Sequence, residues 1–351
     1  METKRLVLFS LGLFLVLGFA HSIDITEADL KSDDTKMALY DKWRAEFKKP
    51  DPSPEERKLR FKAFSANMDL VVMSNKQNMG FKLKLNKFAD LSNEEFKTRY
   101  CGTHTKHGRT MMGAPGGDKP KGKVDAPPTV DWRTQNAVTP VRDQGECPSD
   151  WAIAITGSVE SLNAIKTKQL VPLSPQELLD CDRELTNKGC DGGVLDHGFQ
   201  YVKMSGGLAA EDAYPYTGAD GTCNQQKVAN KAAKIDGYKD VFMDCDNALM
   251  KAVSHQPVAV VVDAPIEFQL YGEGIFTGAC GKTLVHGMLV VGYDDAQKFW
   301  IVKSSWGEDW GEGGYIRLQK NAPYPEGMCG ILQEASYPII NDGSQPAKEE
   351  F

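Results

Sequence analysis

Gln144-Gly145-Glu146-Cys147-Pro148-Ser149-Asp150-Trp151-Ala152 is the stretch whose reading decides how this chain folds. The residues before Asp150 read as a short loop, stiffened by Pro148. Asp150 itself opens a helical stretch that runs to about Ile165. An aspartate is favoured in the first turn of a helix because its charge meets the positive end of the dipole. The reading therefore places a carboxylate at the mouth of a long helix.

Upstream, residues from about 35 to 76 are helical in pattern. Trp43 and Phe47 stand one turn apart. Glu56, Arg60, Phe64, Asn67, Val71 and Asn75 then follow at steps of three or four, which keeps all six on one helix face. A stripe mixing acid, base, aromatic and amide points to something more specific than a plain amphipathic helix. Leu83 to Asp90 alternates like a strand, and Leu91-Ser92-Asn93-Glu94-Glu95 reads as a helix cap. Residues 102–128 hold Gly, Pro, Lys and Thr with few large apolar side chains, the composition of an exposed, easily cut linker. His104 and His107 fall in it and read as solvated linker histidines rather than metal ligands.

Downstream, Ser174-Pro175-Gln176-Glu177 supplies an N-cap, a proline at the first helical position and a capping glutamate. Beyond Gln256 the pattern turns to strands: Val258–Val262, Met288–Tyr293, Phe299–Val302 and Gly314–Leu318, separated by Gly and Asp. Helices first and strands second imply an α+β body of two lobes.

Met1 to Arg5 make a short basic start and Leu6 to Ala20 an apolar run, with small residues at Ala20 and Ser22. That is the layout of a secretory signal peptide over 1–22, and the run is too short for a comfortable membrane span. The eight cysteines contain no CxxC pair, so disulfides are the expectation in an exported chain. No Asn-x-Ser/Thr sequon occurs. Residues 125–351 hold 18 basic and 32 acidic side chains, which leaves 23 basic and 16 acidic in 1–124. A basic leader beside an acidic body suits intramolecular docking, and the acidic body argues against nucleic acid as a partner.

Three of these segments resemble papain-like cysteine proteases: residues 144–152 their active-site signature, Leu284-Val285-His286-Gly287 their histidine strand, and Ser304-Ser305-Trp306-Gly307 with Trp310-Gly311-Glu312-Gly314-Tyr315 their third catalytic segment. The six-residue stripe is similar to the ERFNIN pattern of the family's inhibitory propeptide, with Val71 for isoleucine. Asn86, Phe88 and Asp90 match its second propeptide motif, with Lys84 in place of the leading glycine. The resemblance is to the plant branch and covers nearly everything after residue 22. It implies a two-lobed fold, a helical lobe plus a β-barrel-like lobe, with a helical propeptide. The divisions it suggests are propeptide 23–104, linker and processing region 105–124, and peptidase-homology domain 125–351.

The family chemistry uses a thiolate at a helix N-terminus, a histidine base, an asparagine that orients the imidazole and a glutamine that stabilises the oxyanion. Here the resemblance places Gln144 and His286 in their expected roles, but Asp150 at the nucleophile position and Ser304 at the asparagine position. A carboxylate that attacks a peptide must form a mixed anhydride and expel an amine, a poor exchange beside thioester formation. The expectation is thus an inactive homologue with a peptide-binding, inhibitory, defence or storage role. The alternative is a hydrolase with weak or altered activity through His286 and Asp150.

The resemblance further implies bridges Cys147–Cys190, Cys181–Cys223 and Cys280–Cys329. Cys101 and Cys245 are then left as free thiols, or paired if the propeptide stays attached. Gly192 and Gly193 match the backbone edge that pairs with an extended peptide. Val194, Leu195, Val261, Leu284 and Glu334 match a side-chain pocket, with Glu334 either at its base or on the surface. Trp306 is carried over as a further substrate contact, and His197 as a surface residue. The implied partners are an extended peptide or protein in the cleft, the chain's own propeptide and a processing protease acting in trans. A monomer is expected, with no cofactor, no metal, and no membrane contact once the signal is removed. The implied location is the secretory pathway, ending outside the cell or in a vacuole or lysosome-like compartment.

Overall fold

In the computed structural model, which describes residues 23, 25–105, 124–183 and 186–341, residues 144–149 form a loop that leads into a helix. Helix α4 (Asp150–Thr167) starts there and ends where Lys168 adopts a left-handed conformation (φ 64°). From Asp150 to Leu162 its side chains are buried, which is why its apolar pattern runs round the helix rather than along one stripe. Residues 1–22, expected to be a signal peptide, most of the expected linker 105–124 and His107 lie outside the described residues.

The leader forms α1 (Asp33–Glu46), α2 (Pro54–Lys76), the short strand β1 (Phe81–Leu83) and α3 (Asn93–Tyr100). The pattern that reads as one helical run from 35 to 76 is broken after Glu46, where Lys48 takes positive φ and Pro50 and Pro52 follow. The strand expected over 83–90 is shorter and earlier. Asn86 Oδ1 accepts from Phe88 N (3.0 Å) and Asn86 O from Ala89 N (3.0 Å), so an amide-led turn overrides the alternation.

The body continues with β2 (Thr129–Asp131), α4, α5 (Pro175–Cys181), α6 (Leu195–Met204), β3 (Leu208–Ala209), β4 (Lys231–Ala233) and β5 (Gly237–Asp240). Then come α7 (Asp246–Val253), β6 (Val258–Val262), α8 (Ile266–Gln269), β7 (Tyr271–Phe276), β8 (His286–Asp294), β9 (Phe299–Lys303), β10 (Tyr315–Gln319) and β11 (Ala335–Ile339). Ser174 caps α5 by accepting from Glu177 N, as its sequence predicts.

The main sheet runs β1-β7-β10-β9-β8-β6-β11-β5, with β2 added on β8. Among the described residues this path does not close, so the β-rich lobe is an open, curled sheet rather than a closed barrel. One apolar cluster fills the helical lobe around Trp151, Ile155, Leu178 and Phe199, and takes in Ala259 and Val261 from β6. The other joins leader and β-lobe: Trp43, Phe64, Phe88 and Phe96 share it with Phe268, Trp306 and Trp310. Burial of such a ring stabilises by about 1.5–3 kcal/mol, so the leader is held by core packing as well as by charge.

Three disulfides close the body, Cys147–Cys190, Cys181–Cys223 and Cys280–Cys329, and Cys101 and Cys245 are free.

Candidate active site

Ser149 and Asp150 begin α4 at the floor of the cleft, and antiparallel pairing of β6 with β8 sets His286 opposite Val262 at the start of β8. The two elements converge so that Asp150 Oδ2 lies 3.4 Å from His286 Nδ1, with both side chains fully buried. The carboxylate is also hydrogen-bonded. Its Oδ1 accepts from Gly102 N at 2.6 Å, and its Oδ2 from Gly287 N at 2.6 Å and from the Thr103 hydroxyl. The dipole of α4 adds a positive potential at the same place.

His286 is held by packing. Its ring stacks on Trp306 with centroids 4.0 Å apart at 20°. Neither ring nitrogen makes a hydrogen bond among the described residues, and neither does the buried Ser304 hydroxyl. The Ser304 hydroxyl therefore does not orient the imidazole.

Gln144 is fully buried. Its Oε1 accepts from the Ser305 hydroxyl at 2.6 Å, and its Nε2 donates to the carbonyls of Tyr100 and Cys147, each at 3.1 Å. Trp306 Nε1 donates to the same Tyr100 carbonyl at 3.2 Å, so this indole meets the bound segment as well as the imidazole. The Tyr216 hydroxyl donates to Gln144 O (2.8 Å) and lies 2.6 Å from Ser149 Oγ, and burial pushes its phenol up to about 12.

The leader crosses this floor. Gly193 N donates to Gly102 O at 2.9 Å, His104 N to Gly193 O at 2.8 Å and Thr103 N to Val285 O at 3.0 Å. Gly193 thus acts as a backbone edge, while the neighbouring Gly192 O turns away to accept from Lys188 N at 2.8 Å. Composition marks 102–105 as linker and His104 as solvated. His104 is exposed, with its ring 2.9 Å from Asp191 O, but Gly102 and Thr103 are buried. Backbone pairing holds this strip, and backbone pairing leaves no mark in composition. Gly102, Thr103, Val285 and Gly287 are therefore site residues that sequence reasoning missed. The available signal was the position of Gly102-Thr103 just after α3, which must end near the cleft.

Of the pocket residues, Leu195, Val261 and Leu284 fall in one apolar cluster. Val194 caps α6 and its N–H donates to Asn187 Oδ1 at 2.7 Å. Glu334 is partly exposed and its carbonyl accepts from Val261 N at 2.9 Å. His197 lies outside the cleft, 2.7 Å from the Thr186 hydroxyl. Cys101 borders the site, but burial, with Asp150 next, raises its thiol well above the usual range, so it stays protonated.

Comparison with known proteins places this geometry. Residues 126–339 match the papain family cysteine protease and residues 40–96 the cathepsin propeptide inhibitor domain. The chain belongs to the papain family of cysteine proteases. Vignain of Vigna mungo is 45% identical over 99% of this chain and 97% of its own length. A KDEL-tailed cysteine endopeptidase of Arabidopsis thaliana is 44% identical over 99% of this chain and 98% of its own. The proform crystal structure of the Amb a 11 cysteine protease, a major ragweed pollen allergen, superposes with TM-score 0.82 at 42% identity, covering 91% of this chain and 97% of that one. A recombinant stem bromelain precursor gives TM-score 0.77 at 35% identity, covering 87% and 99%. The papain-like two-lobed fold and the helical inhibitory propeptide of this chain follow. Among the described residues no helix is long and apolar enough to cross a membrane.

Proposed function

We propose that this papain-family chain holds extended peptides in its cleft without thiol-dependent cleavage, in a peptide-binding, inhibitory, defence or storage role within the secretory pathway. The observation that carries this reading is the buried Asp150 carboxylate on the α4 terminus, where three hydrogen bonds occupy it. Loss of a triad nucleophile costs on the order of a million-fold in turnover. A fixed anion there also opposes the negative charge that develops on a substrate carbonyl, against the help that Gln144 would give. Purified body assayed with dipeptidyl fluorogenic substrates at mildly acidic pH should show no thiol-dependent turnover and no labelling of the cleft by epoxide thiol traps. Turnover at rates comparable to thiol-bearing relatives would end this reading.

A second reading, hydrolysis through His286 and Asp150, is favoured by the 3.4 Å carboxylate–imidazole pair and by the relatives' endopeptidase names. In it Asp150 takes a proton from water as the hydroxide adds to the amide carbon, His286 gives a proton to the departing amine, and Asp150 then passes its proton to His286. Asp150→Ala separates the two. Loss of a measured activity supports the hydrolase, whereas peptide binding with no activity in either protein supports the binder.

A further inference from the structure

We propose that Asp150 is a latch for the chain's own leader: its carboxylate reads Gly102-Thr103, and it keeps the propeptide seated as a non-covalent subunit after the linker is cut. The inference deepens the peptide-holding reading and rests on it.

Two of the three donors to Asp150 come from the leader, Gly102 N and the Thr103 hydroxyl, and the third, Gly287 N, comes from the body. Departure of the leader exchanges two hydrogen bonds to an ionised carboxylate for water, and such charge-assisted bonds are the strong kind. The other walls repeat the grip. Gly193 pairs with Gly102 O and His104 N, Val285 O accepts from Thr103 N, and Gln144 and Trp306 hold the Tyr100 carbonyl. A Cβ on Gly102 would collide with the Pro148 carbonyl oxygen, so only glycine fits over the floor. The ligand class is therefore an extended peptide with glycine above Asp150 followed by a hydroxyl-bearing residue. A neutral thiol, a weak acceptor, would grip the same segment less firmly.

The test uses the full chain with a site for a sequence-specific protease inserted between Gly116 and Gly117. After cutting at neutral pH, release of the leader on dilution is followed by rapid gel filtration at successive times. The wild type should co-elute with its leader. Thr103→Val and Asp150→Ala should each speed release about tenfold or more, the effect of losing a hydrogen bond to a buried charge. Thr103→Ser should behave as wild type, and Thr103→Val should add nothing once Asp150→Ala is present. Circular dichroism checks that the body is folded, and Thr103→Val leaves the body untouched in any case. Release at the wild-type rate by Thr103→Val, or an equal Thr103→Val effect in both backgrounds, overturns the latch. Peptidase turnover by the wild type sinks the peptide-holding reading separately, since it is read on a different instrument from release.

Discussion

At the residue scale, the proposed lack of cleavage rests on two side chains. Asp150 offers a carboxylate where the family resemblance expects a thiol, and Ser304 makes no hydrogen bond to His286, whose ring stacks on Trp306. The two contributions are separable. Asp150→Cys alone should create a thiol that an epoxide trap labels, because the α4 terminus and His286 are still in place to draw off its proton. Its turnover should stay low until Ser304→Asn is added. The pair should then exceed Asp150→Cys by about tenfold or more in kcat/KM, as expected when an orienting partner is returned to a base. Equal kcat/KM for the single and double variants would mean that the indole stack suffices.

At the element scale, the leader's helices and turns are organised by buried polar groups, and these gave the mixed stripe its composition. Asn67 donates to the carbonyls of Ala89 and Leu91 (2.8 and 2.9 Å), Asn75 brackets Leu83, and Arg60 pairs with Glu95 at 2.6 Å. Asp90 is the exception among them. Burial raises its carboxyl above the ordinary range against the lowering pull of Lys49 and Arg60, and its Oδ1 has no hydrogen bond among the described residues. A carboxyl whose folded pKa is raised binds more protons folded than unfolded, so its ionisation costs stability as pH rises through that folded value. Asp90→Asn should therefore raise the precursor's melting temperature by roughly 2–4 °C near pH 7.5. The gain should vanish near pH 3, below the ordinary aspartate value of about 3.9. Thermal unfolding at both pH values checks it, and a gain confined to the acid side would reverse the sign and defeat the account.

At the scale of the whole molecule, leader and body behave as one folded unit. The basic excess of the first part meets the acidic excess of the second through Lys97–Asp263 (2.6 Å), Lys87–Asp143 and Arg99–Glu146. Exposed pairs of this kind contribute about 0–1 kcal/mol each, far less than the shared aromatic core. The carboxylate of Asp263 is buried, so loss of Lys97 would leave an uncompensated charge there. On the proposed reading, with a carboxylate at position 150 and the leader packed into the core, a purified precursor should not mature by itself at any concentration in mildly acidic buffer. A thiol protease added in trans should cut it near residues 105–128. Appearance of a body-sized band in the untreated sample, followed by gel electrophoresis, would contradict this.

The sequence alone determined the α+β class and the positions of the motifs. Each of those follows from local periodicity and capping, as at Asp150 in the first turn of α4 and Ser174 at the start of α5. The resemblance to papain-like proteases set His286 beside the α4 terminus, and Leu195, Val261 and Leu284 in one apolar cluster. Only the tertiary structure decided that Gly102 and Thr103 lie on Asp150 and that Tyr100 meets Gln144. The Gly102 and Tyr100 contacts use a main-chain N–H and C=O, which every residue carries alike, and the Thr103 contact uses its hydroxyl, all between segments more than forty positions apart. Side-chain patterns record which face is buried, whereas the partner of a main-chain N–H or C=O is fixed only once the chain has folded.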